Sequence, residues 1–256
     1  MSFFDWLFRI FSEYKMSFLR GTANTLLMAI TGTLIGFLIG LLIALVRTIP
    51  LPDEKYRVRR ALLRGVWAIL SAYVEIIRGT PMLVQALIIH YSLFVRIGMP
   101  NMLSAIIILS FNTGAYMAEI VRGGIISVDR GQTEAAHAIG MSHVKTMSLV
   151  VLPQAVRNIM PSIGNEFVVN IKDSSVLSVI SIVELMFSAK QAGGAYAQFV
   201  PAYVICALIY FILTFTVTRI LRFAERRMAG SDTYVICGSQ SDYASMITVE
   251  KPKEED

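Results

Sequence analysis

Glu166, Asn170 and Asp173 stand at i, i+4 and i+7 in an otherwise apolar stretch, so on a helix they share one face. Polar groups at membrane depth are costly and normally pair with one another or line a pathway. A carboxylate such as Glu166 could meet an ammonium group there, with Asn165 and Asn170 supplying amides. The chain breaks just beyond, at "KDSS" (Lys172 to Ser175), and earlier at "RGTP" (Arg78 to Pro81), where glycine and proline disfavour continued helix. A broken helix exposes backbone N–H groups at its new start, and these suit a carboxylate. Thr80 before Pro81 and Ser174 before Ser175 offer two such starts, and Arg78 lies beside the first. Glu166, Asn165, Asn170, Thr80, Arg78 and Ser174 therefore form a candidate binding set for a ligand carrying one positive and one negative group. The same pattern also allows Glu166 to pair with Lys172 or Arg78 and hold helices together, and spacing leaves both readings open.

No chemistry of bond-making is written in the chain. It has no G-x-x-x-x-G-K-[ST] and no Gly-Lys pair, hence no loop to cradle a phosphate. His137 and His143 are six apart, which is wrong for the one-face pair of a metal site, and His90 stands alone in an apolar run. They read as surface or packing residues. Cys206 in an apolar run and Cys237 in a polar segment read as ordinary thiols. No catalytic constellation and no metal site are expected.

The elements that must position these residues are membrane helices. Of 256 residues 55% are hydrophobic and only 16% are charged. Gly21 to Val46 is a run of 26 uncharged residues between Arg20 and Arg47, longer than the ~20 that span a bilayer and about twice the length of a signal-peptide core. It reads as a retained helix. Four further crossings follow: Gly65 to Val95, broken at "RGTP"; Met102 to Val121; Met160 to Phe187, broken at "KDSS"; and Ala202 to Thr218. The expected fold is an all-α polytopic membrane protein with five crossings, two of them broken. Fourteen bases, from Arg47 to Arg64, Arg122 to Arg157 and Arg219 to Arg227, fall on one side, which places the N-terminus outside and the C-terminus inside. Residues 1–20 read as an interfacial segment or a solvated leader, 21–227 as the membrane domain, and 228–256 as a polar, disordered tail. Gly32, Gly36 and Gly40 make a stripe open to close backbone approach, within the chain or with a partner. Two echoing segments, "AYVEIIRG" and "AYMAEIVRG", set Glu75 three residues before Arg78 and Glu119 three before Arg122, each able to bridge within one turn.

Between the third and fourth crossings lies "GQTEAAHAIGMSHVKTMSLVVLP", too polar for lipid and too regular for a spacer. It predicts a helix over Gln132 to Ile139 stopped by Gly140, and a second from its N-cap Ser142 to Leu152, ended by Pro153. Ala135, Ala136, Ala138 and Ile139 would be exposed as a low ridge that enters another protein's groove with little side-chain entropy to lose. A helix lying on its own membrane surface fits the pattern equally.

"EAAHAIGMSHVKTMSLVVLP" resembles the EAA signature of permease subunits of bacterial ATP-binding-cassette importers, with Val150 where isoleucine is usual. "LPQAVRNIMPSIGNEFVVNIKDSS" and "YVEIIRGTPMLVQ" further resemble the polar amino-acid branch, the histidine, glutamine and arginine permeases, and the likeness covers roughly residues 21–227. The resemblance implies that loop 130–153 forms coupling helices docking into a cytoplasmic ATPase, with Glu134, Ala135, Ala136 and Gly140 carrying over directly. It also implies ATP and Mg on that partner and none on this chain, a second permease subunit, an extracytoplasmic binding protein and a place in the bacterial cytoplasmic membrane. An amino acid would supply both an ammonium for Glu166 and a carboxylate for a helix start. The competing function is an ion-coupled secondary transporter, which broken helices also allow. Which amino acid would move, and whether the second permease is identical, stay open.

Overall fold

The computed structural model describes residues 2–228, and the expected tail at 229–256 lies outside them. Among the described residues every regular element is helical. The first helix, α1 (Phe3–Thr48), begins with a reciprocal cap: Asp5 N–H donates to Ser2 Oγ at 3.2 Å, and Ser2 N–H to Asp5 Oδ2 at 2.7 Å. It runs on through residues 20 and 21 without a break for 46 residues, or about 69 Å at 1.5 Å per residue. It stops where Ile49, preceding Pro50, turns extended.

Arg57–Gly79 forms α2 and Met82–Ile89 forms α3, which continues into a π-turn over His90–Phe94. The break expected at "RGTP" is real: Thr80 is extended, and the chain bends by 112° between the two arms. Asn101–Ser127 is α4 and Arg130–Ala138 is α5. A short α6 (His143–Thr146) passes through a π-turn at Met147–Val151 into α7 (Leu152–Asp173). A 3-10 turn over Ser174–Ile180, then α8 (Leu185–Tyr196) and α9 (Phe199–Met228), complete the described chain.

Three of these helices, α1, α4 and α9, are long and apolar enough to cross a membrane, and α2 with α3 makes a fourth if the bent pair is one span. The expected fourth crossing is less apolar, because its first arm, α7, carries Arg157, Glu166, Lys172 and Asp173.

Glycine decides how α1 meets α4. A Cβ built at Gly36 would fall 2.7 Å from Thr113 Cβ, and one at Gly40 would fall 2.5 Å from Met117 Cβ, so the stripe is spent on contact within the chain. Towards the N-terminus the same helix buries Ile10 and Phe18 against Leu185, Ala189, Ala202 and Ile205 of α8 and α9. Residues 3–20 are thus part of the helical bundle, while Phe4 and Phe8 stay on its outer face.

Candidate functional site

Two arrangements stand out, one inside the bundle and one at the end where the basic residues gather. Inside, Asn170 of α7 donates to Thr33 Oγ1 of α1 at 2.8 Å and accepts from Thr113 Oγ1 of α4 at 2.9 Å. Thr33 in turn donates to Ala29 O at 2.7 Å, so the buried amide ties three helices together with its polar atoms satisfied. A second network begins at the preceding residue of α4. Asn112 donates to Gln85 Oε1 at 2.9 Å, and Gln85 Nε2 lies 2.8 Å from Ile77 O, 3.0 Å from Thr80 O and 2.8 Å from Thr80 Oγ1. The final carbonyls of α2, which have no partner within their own helix, are met by this side chain. Neither Gln85 nor Asn112 was picked out in the sequence, although an amide within an apolar run is a signal of the same kind as Asn170.

Glu166, one turn before Asn170, is only 4% exposed and has no hydrogen bond or ion pair among the described residues. The charges that reach it are those of Asp173 and Arg78. Lys172, the other base considered for it, is exposed and lines a groove against α9 instead. Arg78 is half-buried, with its guanidinium 5.6 Å from the centre of the Tyr116 ring on α4. Asn165 is exposed, on a different side of α7 from its neighbour Glu166.

The two expected helix starts fare differently. Thr80 and Pro81 do precede a new helix, with Thr80 Oγ1 donating back to Ile76 O at 2.8 Å. Ser174 does not begin one: its backbone stays right-handed helical, its N–H is used by Asn170 O, and its hydroxyl donates to Ile171 O at 2.8 Å. The α-helix simply tightens into the 3-10 turn. The next true start is α8, where the fully buried Glu184 accepts from Met186 N–H at 2.7 Å and Phe187 N–H at 2.6 Å, and from Tyr210 OH at 2.8 Å. A carboxylate at a helix start is present, but the chain supplies it.

The ion pairs at the basic end also differ from their sequence echo. Glu119 accepts from Arg122 Nε at 2.9 Å and Nη2 at 2.8 Å, and additionally from Arg47 Nη1 of α1 at 2.7 Å. Glu75 is exposed and makes no ion pair with Arg78, which faces α4 instead.

Beyond α4, Asp129 caps α5 by accepting from Gly131 N–H at 2.6 Å. The helix exits through Gly140 at φ +81°, with Gly140 N–H on His137 O at 2.9 Å and Met141 N–H on Ala136 O at 3.0 Å, the paired bonds of a Schellman motif. Ser142 caps α6, as expected, through Lys145 N–H at 3.5 Å. Glu134, Ala135, Ala138 and Ile139 are exposed, Ile139 at 79%. Ala136 corrects the expectation: it is buried, so the ridge consists of the residues around it. Pro153 is a second correction, since it does not end the second helix. The π-turn shifts the hydrogen bonds so that Leu152 N–H reaches Met147 O, and Pro153 falls in the first turn of α7, where no N–H is required. The second short helix is therefore joined to the arm that carries Glu166.

Long apolar helices, a buried polar core and a protruding helical hairpin at the basic end define the class, a multi-pass membrane transport component. The chain belongs to the family of binding-protein-dependent transport system inner membrane components, which matches residues 60–230. It is 33% identical over 216 residues to the arginine transport system permease protein ArtQ of Bacillus subtilis, covering 84% of this chain and 93% of that one. It is 32% identical over 216 residues to the glutamine transport system permease protein GlnP of Escherichia coli, covering 82% and 92%. It also resembles the crystal structure of an amino acid ABC transporter with histidines, at a TM-score of 0.75 and 36% identity, covering 89% of this chain and 99% of that one. As a permease of this family the chain is a transport subunit and not an enzyme, working with a binding protein and an ATPase.

Proposed function

We propose that the chain is the pore-forming permease of an importer for polar amino acids, paired with a second permease over an ATPase dimer that binds ATP and Mg. The relatives named for arginine and glutamine support the substrate class. The ion-coupled alternative is not favoured by a family that depends on a binding protein. In this reading α7 with its 3-10 continuation completes a fifth crossing, the N-terminus faces outside and the C-terminus inside, and the hairpin of α5 and α6 couples to the ATPase through Glu134, Ala135, Ala136 and Gly140. Glu166 and Arg78 face the amino acid, with Asn165 on the adjoining surface. Thr80, Asn170 and Ser174 shape the pathway through the bonds that hold its walls.

The observation that carries the proposal is the continuous helical path from α6 through the π-turn to Glu166, which joins the hairpin to the polar core. Purification of the complex from the native membrane should recover an ATPase and a binding protein. Transport of polar amino acids into proteoliposomes should require both, and uptake by this chain alone, driven by an ion gradient, would overturn the reading.

A further inference from the structure

A groove of about 380 Å³ runs between α7 and the C-terminal half of α9, away from the polar core. Lys172, Arg219 and Arg222 supply three positive charges to its lining, Phe211 and Phe215 its apolar wall, and no acidic side chain lines it. Both aromatic rings are exposed, Phe211 at 64% and Phe215 at 50%. None of the three cations has an ion pair among the described residues. The Arg219 guanidinium lies 4.9 Å from the centre of the Phe215 ring, which holds it over the groove.

The arrangement is amphipathic along the helix axis. Arg219 and Arg222 lie at the basic end of α9, while Phe215 and Phe211 lie about one and two turns further into its apolar part. Lys172 starts deeper, on α7, but helical side chains lean towards their own N-terminus, and that direction on α7 leads back towards the basic end. A ligand filling the groove therefore needs a negative head at the membrane boundary and a hydrocarbon chain pointing inwards. A second copy docked two-fold with its axis through the groove would set the three cations against their own copies, so a self-contact centred here is disfavoured.

We infer that this groove binds the phosphate headgroup of an anionic phospholipid, with one acyl chain lying along Phe211 and Phe215. This rests only on α9 spanning the membrane, and not on substrate or ATPase coupling, so it can fail while the transport reading stands. Basic pockets between transmembrane helices favour such headgroups, at about fivefold in affinity per charge near the surface.

The test is native mass spectrometry of the full-length chain in its assembled complex, taken from vesicles of phosphatidylcholine with or without phosphatidylglycerol. Phosphatidylglycerol should be retained preferentially. Arg219→Gln should weaken retention about fivefold, and the triple variant Lys172→Gln, Arg219→Gln, Arg222→Gln should weaken it about a hundredfold, whereas Arg219→Lys with Arg222→Lys should retain it. A melting temperature equal to that of the parent verifies that the triple variant is folded; if it is not, Phe211→Ala alone, predicted to lower retention with all charges kept, decides the question. Equal retention of the anionic lipid by parent and folded variants would overturn the proposal. So would displacement of the lipid by inorganic phosphate, or efficient cross-linking of Phe211→Cys to a second copy.

Discussion

The amide of Asn112 donates to the side-chain oxygen of Gln85 at 2.9 Å, and so turns the nitrogen of Gln85 towards the open end of α2. One residue pair, 27 positions apart, thereby stabilises the 112° break at "RGTP". Gln85→Leu should strand the Asn112 amide and the carbonyls of Ile77 and Thr80, destabilising the chain by about 2–4 kcal/mol. The double variant with Asn112→Leu should be less destabilised than the sum of the singles. Thermal unfolding of the purified complex checks both, and strict additivity would show that the contact does not hold the break.

Close approach of α1 and α4 makes a second prediction. A Cβ at Gly40 would lie 2.5 Å from Met117 Cβ and 2.6 Å from the Ala118 backbone nitrogen, so Gly40→Ala must push the helices apart. Overpacking of this kind costs about 1–3 kcal/mol, while Gly65→Ala, inside α2 with nothing within 4 Å, should be neutral or stabilising by up to about 1 kcal/mol. Size-exclusion profiles and melting temperatures of the two variants should diverge accordingly.

Gly140 is held at φ +81° with open space beyond its Cα. Gly140→Val would strain the Schellman exit by about 1–2 kcal/mol and place a branched side chain on the outer surface of the hairpin. Membrane insertion should persist while binding of the ATPase subunit, read by co-purification, is lost. Gly140→Asn, which tolerates the left-handed region, should retain part of it. Normal ATPase binding by the valine variant would argue against docking through this hairpin.

The fourth prediction separates the two roles of Glu166. Glu166→Gln keeps shape and removes charge. A melting temperature like the parent's, with altered amino-acid stimulation of ATP hydrolysis in the assembled complex, identifies contact with the cargo. A lowered melting temperature with normal stimulation assigns the residue to balancing Arg78.

Sequence alone determined the broad architecture wherever a single helix's own physics suffices. A run of 26 uncharged residues has to find hydrocarbon, "RGTP" has to interrupt a helix, and Gly140 and Ser142 terminate and start one whatever surrounds them. Those signals are local, as are the EAA residues by which the loop resembles its family. Tertiary structure decided what each polar group faces. Asn170 meets Thr33 from 137 residues away, Glu119 gathers Arg47 as well as Arg122, and Lys172 turns from Glu166 towards α9. It also filled the only buried carboxylate-capped start among the described helices with Glu184, and carried the chain through Pro153 by a π-turn. Helical periodicity gives the face on which a residue lies, but the neighbour across that face depends on helix crossings, and these are set by side-chain volumes such as the glycines of α1 against α4.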